Sequence, residues 1–124
     1  MTDIKDRQDI QLLVDSFYKK VIEDETIGFF FNEVVKLNWE KHMPLMYNFW
    51  ETTLFHTALY KGNPMQAHLE LNEKSAMKKI HFDQWIGLFK STVDEHFQGT
   101  KAELAKQRAM SIAMIMQVKI SQLE

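Results

Sequence analysis

The sequence predicts an all-α fold, and three observations carry that prediction. Four long stretches place apolar residues at three- and four-residue steps, and no segment alternates apolar and polar residues as a half-buried strand does. The strongest turn signal, Lys61-Gly62-Asn63-Pro64, falls between those stretches rather than inside one. The length of 124 residues and the 45% hydrophobic content suit one domain with an ordinary core, read here as residues 1–124.

The first stretch aligns Ile10, Leu13, Val14, Phe17 and Val21 on one face and ends near Glu25. Tyr18 borders that stripe. Gly28 then opens the aromatic run Phe29-Phe30-Phe31-Asn32, whose rings cannot share one helix face, so some cap the core from a turn. The second stretch begins after Asn38, a predicted N-cap, and brings His42, Met46, Phe49 and Thr53 to one face. Pro44 lies a turn inside this pattern, where a kink is expected. The helix should fade before Lys61. Met65–Leu69 suits a single helical turn after Pro64, and Asn72-Glu73-Lys74-Ser75 reads as loop. The third stretch carries Phe82, Trp85, Ile86, Phe89, Val93 and Phe97 and closes at Gly99. The fourth carries Ala105, Ala109, Ile112, Ala113, Met116, Ile120 and Leu123, with Thr100 as predicted N-cap and Glu103 completing a capping box. Such helices can form a plain four-helix bundle or cross steeply around a ligand, and periodicity does not separate the two.

Composition narrows the chemistry. The net charge is -2, with no basic stripe, which argues against a nucleic-acid partner. No run approaches the roughly 18 apolar residues of a membrane span, and the polar start lacks a signal-peptide core. The absence of Cys excludes disulfides, iron–sulfur clusters and thiolate-held metals, and a reducing cytoplasm is the expected location. There is no Gly-rich phosphate loop, no Gly-x-Ser-x-Gly and no Glu-x-x-His pair.

The remaining candidates are imidazoles and polar-edged aromatics. His68 follows the bend at Gly62 and Pro64, and Leu69 and Leu71 flank it; His42 lies on an apolar helix face. Imidazoles facing apolar space, without thiolates or clustered carboxylates, suit an iron porphyrin better than a structural zinc. Eight Met residues would fill the irregular space around a non-protein object. Tyr18 and Trp85 could donate hydrogen bonds inside such a pocket. Taken singly, each has a plainer reading that spacing alone favours: His68 as a surface residue beside a turn, His42 as a boundary histidine, Tyr18 and Trp85 as core aromatics. His56, His81 and His96 have no partner at ligand spacing and read as surface or boundary residues.

Their combined order changes that balance. Phe17-Tyr18, Phe31, His42, Tyr60-x-Gly62-x-Pro64-x-x-x-His68, and His81-Phe82-Asp83-Gln84-Trp85-Ile86-Gly87-Leu88-Phe89 together resemble the group III truncated hemoglobins, from about Ile10 to Val118. Trp39-Glu40-Lys41-His42, Asn48-Phe49-Trp50 and Gln107-Arg108-Ala109 resemble the same group. The resemblance implies a globin-like, truncated two-over-two helical sandwich around heme b in a single domain. It implies His68 as the proximal iron ligand, Tyr18 as the distal hydrogen-bond donor, Trp85 as the distal tryptophan and His42 as the histidine of the distal gate. Phe31 matches the residue that stacks on the porphyrin, and Tyr60 is placed near the propionates. Met46 departs from the pattern, standing at a distal position where an aliphatic or aromatic residue is more usual. The segment 72–80 is longer and less proline-rich than in the family. The glycine pairs of the other truncated groups are missing, as group III leads one to expect.

The implied function is reversible binding of O₂, and of other diatomic gases such as NO and CO, at an iron able to be five-coordinate. Slow ligand release would favour O₂ or NO chemistry over bulk transport. Two other classes fit the same residues: a heme peroxidase or NO dioxygenase working with an electron-donating reductase, and a heme-free helical interaction protein whose aromatics are all core. A red preparation with a Soret band distinguishes the heme readings from the last.

Overall fold

The computed structural model describes residues 1–29, 39–56 and 78–123. Among the described residues the regular structure is four helices: α1 Arg7–Glu23, α2 Trp39–Phe55, α3 Lys79–His96 and α4 Thr100–Leu123. No strand occurs among them. α3 packs most extensively on α4, α1 packs on both α2 and α3, and a smaller contact joins α2 to α4. The four helices therefore close into a ring of two pairs, α1 with α2 and α3 with α4.

Each helix has a local reason to start and stop. The Asp6 carboxylate caps α1 by accepting from the Asp9 N–H at 3.1 Å. The predicted stripe Ile10, Leu13, Val14, Phe17 and Val21 is buried throughout. α1 ends at Glu23, because Asp24 turns to extended backbone. α2 continues through Pro44, which sits on its exposed side. It stops at Phe55, short of the 61–64 turn signal, at a left-handed His56 (φ 58°). A helix exit of this kind is usually taken by Gly. The chain end of α2 is tied to α4: Lys101 Nζ donates to the Leu54 carbonyl at 2.7 Å and lies 5.4 Å from the centre of the Phe55 ring.

The α3–α4 seam sets large against small. α3 buries Phe82, Phe89, Thr92 and Val93, while α4 buries Ala102, Ala105, Ala109, Ala113 and Met116. Small residues at three- and four-residue steps let the rings of α3 seat close to the α4 backbone. Thr92, buried among them, satisfies its hydroxyl by donating to the Leu88 carbonyl at 2.7 Å.

The cap of α4 differs from the sequence expectation. Thr100 is already inside the helix, and the Gly99 carbonyl accepts its first bond, from the Glu103 N–H. The capping oxygens come from Asp3, which accepts from the Lys101 N–H and the Ala102 N–H, each at 2.8 Å. Buried Ile4 anchors this N-terminal arm in the core. Glu103 instead pairs with Lys106 at 2.9 Å. Gly99 has φ 148°, and a Cβ there would lie 2.5 Å from Asp3 Cγ, so the glycine is needed for both its conformation and its lack of a side chain.

Partial burial pushes the Asp3 carboxyl up, but the amides of Lys101, Ala102 and Ile4 and the Lys101 charge together outweigh this and hold it below the usual carboxylate range. A carboxyl lowered in the folded state stabilises above its unfolded pKa of 3.8 and loses that contribution as pH falls through the folded value. Asp3→Ala is therefore expected to cost about 0.5–2 kcal/mol at neutral pH, the usual size of a lost helix cap. Urea unfolding at neutral and strongly acidic pH checks this: the gap between the two proteins should close in acid.

Candidate functional site

Three helices and one corner bring the distal candidates together. Tyr18 comes from α1, His42 and Met46 from α2, and Trp85 from α3. Tyr18 follows buried Phe17 and so falls at the edge of the α1 stripe, half-buried. His42 lies across from it: Nε2 stands 3.4 Å from the Tyr18 hydroxyl, with the rings 5.4 Å apart and nearly perpendicular at 84°. Phe17 links this pair to α3, meeting Tyr18 at 5.1 Å and Trp85 at 5.8 Å, both edge-on. Met43, Met46 and Phe29 pack on the same core and are only partly buried. Trp85 also packs on a second small cluster of Phe82, Ala113 and Met116, so it spans the space between the α1 side and the α4 side.

The corner after α1 holds Trp85's helix in place. Asp24 accepts from the Thr26 and Ile27 amides at 2.8 and 3.0 Å, an Asx turn, and from Gln84 Nε2 at 2.6 Å. Burial pushes the Asp24 carboxyl up, but the Gln84 amide and the two backbone N–H groups outweigh it and keep it low, so it is an anion here. Gln84 immediately precedes Trp85. These two positioning residues were not singled out in the sequence. Asp24 ahead of Thr26 is a recognisable turn signal, but its partner lies 60 residues away. Gly28 completes the corner, because a Cβ there would come within 2.7 Å of the Ile22 carbonyl oxygen and 3.0 Å of that of Val21. Both neighbours are backbone and cannot swing aside. Gly28→Ala is expected to cost about 1–3 kcal/mol, as other forced overpackings do. A lowered urea midpoint checks it.

The wall has a consistent chemistry. It presents a phenol, an imidazole, an indole and two thioethers, set in apolar surroundings. Among the described residues no group of three or more His, Asp or Glu is placed to hold a metal ion. Neutral donors few in number on an apolar wall suit a flat apolar ligand carrying a small polar group. They do not suit a bare cation, which requires a ring of donor atoms. His81 serves the start of α3 instead: its Nδ1 accepts from the Lys78 N–H at 2.8 Å, which leaves the proton on Nε2. Burial and the nearby Lys78 charge push His81 below the usual histidine range and favour this neutral form.

Tyr18 and His42 are thus in direct contact, and Trp85 reaches them through Phe17. Met46 packs on the same core. His68, Phe31 and Tyr60 lie outside the described residues.

No family model matches the sequence. The chain is similar to a group 3 truncated hemoglobin of Campylobacter jejuni, 28% identical over 110 residues that cover 86% of this chain and 84% of the relative. Its fold is similar to the crystal structure of a group III truncated hemoglobin from Campylobacter jejuni, with a TM-score of 0.82 and 26% sequence identity. That match covers 97% of this chain and 95% of the other. The architecture is accordingly all-α and of the truncated globin type, and the resemblance to the group III truncated hemoglobins holds in both sequence and fold.

Proposed function

We propose that this truncated-globin chain holds heme b and binds diatomic gases reversibly, with O₂ the leading ligand and NO and CO as further ones. The observation that carries the reading is the Tyr18–His42 contact at 3.4 Å on a half-buried apolar wall shared with Trp85. His68 is the residue assigned to hold the iron, through a neutral imidazole, and Phe31 and Met46 line the porphyrin. The lack of Cys rules out thioether attachment, so the porphyrin is held by coordination and packing alone. When bound, heme supplies a ferrous iron that accepts a gas molecule.

The rest is the work of the chain. Tyr18 supplies a phenol O–H, and Trp85 an indole N–H, as the donors for a bound ligand. His42 Nε2 stands within reach of the Tyr18 hydroxyl and so biases where that proton points. Phe29, Met43 and Met46 narrow the wall with apolar groups, which excludes water and strengthens each remaining hydrogen bond. Firm retention of ligand suits O₂ or NO chemistry better than delivery.

Hemin titration of the purified protein tests the reading. One equivalent should bind and give a Soret band, and the reduced form should shift that band on addition of CO. A folded, colourless preparation that takes up no hemin would overturn it and leave a helical interaction protein.

A further inference from the structure

A column of stacked rings crosses the core behind the Tyr18–His42 wall. Trp85 stacks on Phe89 at 6.0 Å with an interplanar angle of 15°, and Phe89 stacks on Trp50 at 4.8 Å and 19°. Phe89 is fully buried and Trp50 is 5% exposed. One turn earlier on α2 stands Tyr47, half-buried and packed on the same core as Trp50. Its hydroxyl donates to the Asp15 carboxylate of α1. The Arg7 guanidinium lies 5.8 Å from the centre of its ring and is itself held by Asn48 at 2.9 Å and Glu51 at 2.8 Å. Two indoles joined by a stacked phenyl ring, with a carboxylate-bound phenol one turn along α2 from the second indole, make the arrangement that carries a single electron and its proton apart.

We infer that Tyr47 is a redox-active tyrosine, the terminal electron donor to the Trp85–Phe89–Trp50 stack, with Asp15 as its proton acceptor. The oxidant is any one-electron oxidant of indole, such as an inorganic radical or a species formed from peroxide. It removes one electron from Trp85 or Trp50 and leaves an indole radical cation. An electron from Tyr47 refills that hole through the stack, and the phenol proton passes to the Asp15 carboxylate. The products are an intact indole, a neutral phenoxyl radical on Tyr47 and a protonated Asp15. One electron and one proton have left the phenol. A small thiol or ascorbate can then return a hydrogen atom at the half-exposed ring. The oxidising equivalent is thereby drawn from Trp85, at the ligand wall, to the phenol one turn along α2 from Trp50.

Tyr47 suits this role better than Tyr18. Its acceptor is a carboxylate, a base that can take the phenol proton. The Tyr18 hydroxyl meets an imidazole, with His42 Nε2 at 3.4 Å. Burial and the Asp15 hydrogen bond push the Tyr47 phenol up to about 12, so its proton leaves with an electron and not by simple ionisation. The inference does not depend on heme, since the stack and its phenol belong to the chain.

Pulse radiolysis of the purified protein with azidyl radicals, which oxidise indoles selectively, tests it. The indole-radical absorption should give way to phenoxyl absorption in a first-order step whose rate is independent of protein concentration. In Tyr47→Phe, with helical content by circular dichroism unchanged, that step should be lost. Tyr18→Phe should retain it. Asp15→Asn, which keeps an oxygen acceptor but not a base, should slow it. An unchanged step in Tyr47→Phe, or its loss in Tyr18→Phe, overturns the assignment of Tyr47. An unchanged rate in Asp15→Asn overturns that of Asp15.

Discussion

Replacing His68 with alanine should abolish stable heme retention. Of the five histidines, the other four already have places in the described structure. His42 faces the Tyr18 hydroxyl, His81 closes the start of α3, His56 is exposed at the left-handed exit of α2, and His96 sits in the last turn of α3 beside Phe97. In the sequence only His68 follows a glycine–proline turn signal, of the kind that would restrain an imidazole holding iron. With the imidazole gone, the porphyrin keeps only its apolar contacts. Hemin titrated into His68→Ala should stay largely unbound after gel filtration, and whatever remains should show an altered Soret band. Wild-type retention with an unchanged spectrum would remove His68 from the iron and turn attention to His42.

Replacing Tyr18 with phenylalanine is expected to accelerate O₂ release. The substitution keeps the ring that packs edge-on against Phe17 and removes only the hydroxyl. A hydrogen bond to a charged or strongly polarised acceptor contributes about 1.5–3 kcal/mol, equivalent to roughly a 10- to 100-fold change in ligand residence. Stopped-flow displacement of O₂ reads this directly. CO, a weaker hydrogen-bond acceptor, should respond much less, which separates a lost donor from a generally loosened pocket. Equal acceleration of both gases, or of neither, would take Tyr18 out of the ligand's hydrogen-bond network.

The fold was largely legible because its determinants are local. The α1 stripe from Ile10 to Val21 is buried as periodicity predicts, and so are Phe82, Phe89 and Val93 on α3 and Ala105, Ala109, Ala113 and Met116 on α4. Trp85 and Ile86 were predicted on the same α3 face and are only partly buried: Ile86 borders the second cluster, and Trp85 lies between that cluster and the main core. What escaped sequence reasoning is tertiary and polar. Thr100 is a sound local N-cap, yet it is displaced by Asp3, which brings a carboxylate from the far end of the chain. Asp24 and Gln84, and Lys101 with the Leu54 carbonyl, are pairs of the same kind. No periodic pattern encodes a contact between residues so distant in sequence. The site follows the same logic. Tyr18 and His42, 24 residues apart, have no spacing that announces their meeting. The resemblance gave them separate distal roles without pairing them, and the contact is seen only in the structure.

The Asp3 lock also bears on the order in which the chain can fold during synthesis. Its amide partners lie 98 and 99 residues downstream. The arm that caps α4 is therefore made before α1, α2 and α3, and its target emerges only after all three. Until Ala102 is clear of the exit tunnel, the nascent chain can form local helices but cannot fasten its beginning to them. Slower synthesis of the stretch between Asp3 and Ala102 should lengthen the interval in which the core's apolar faces stay open to aggregation.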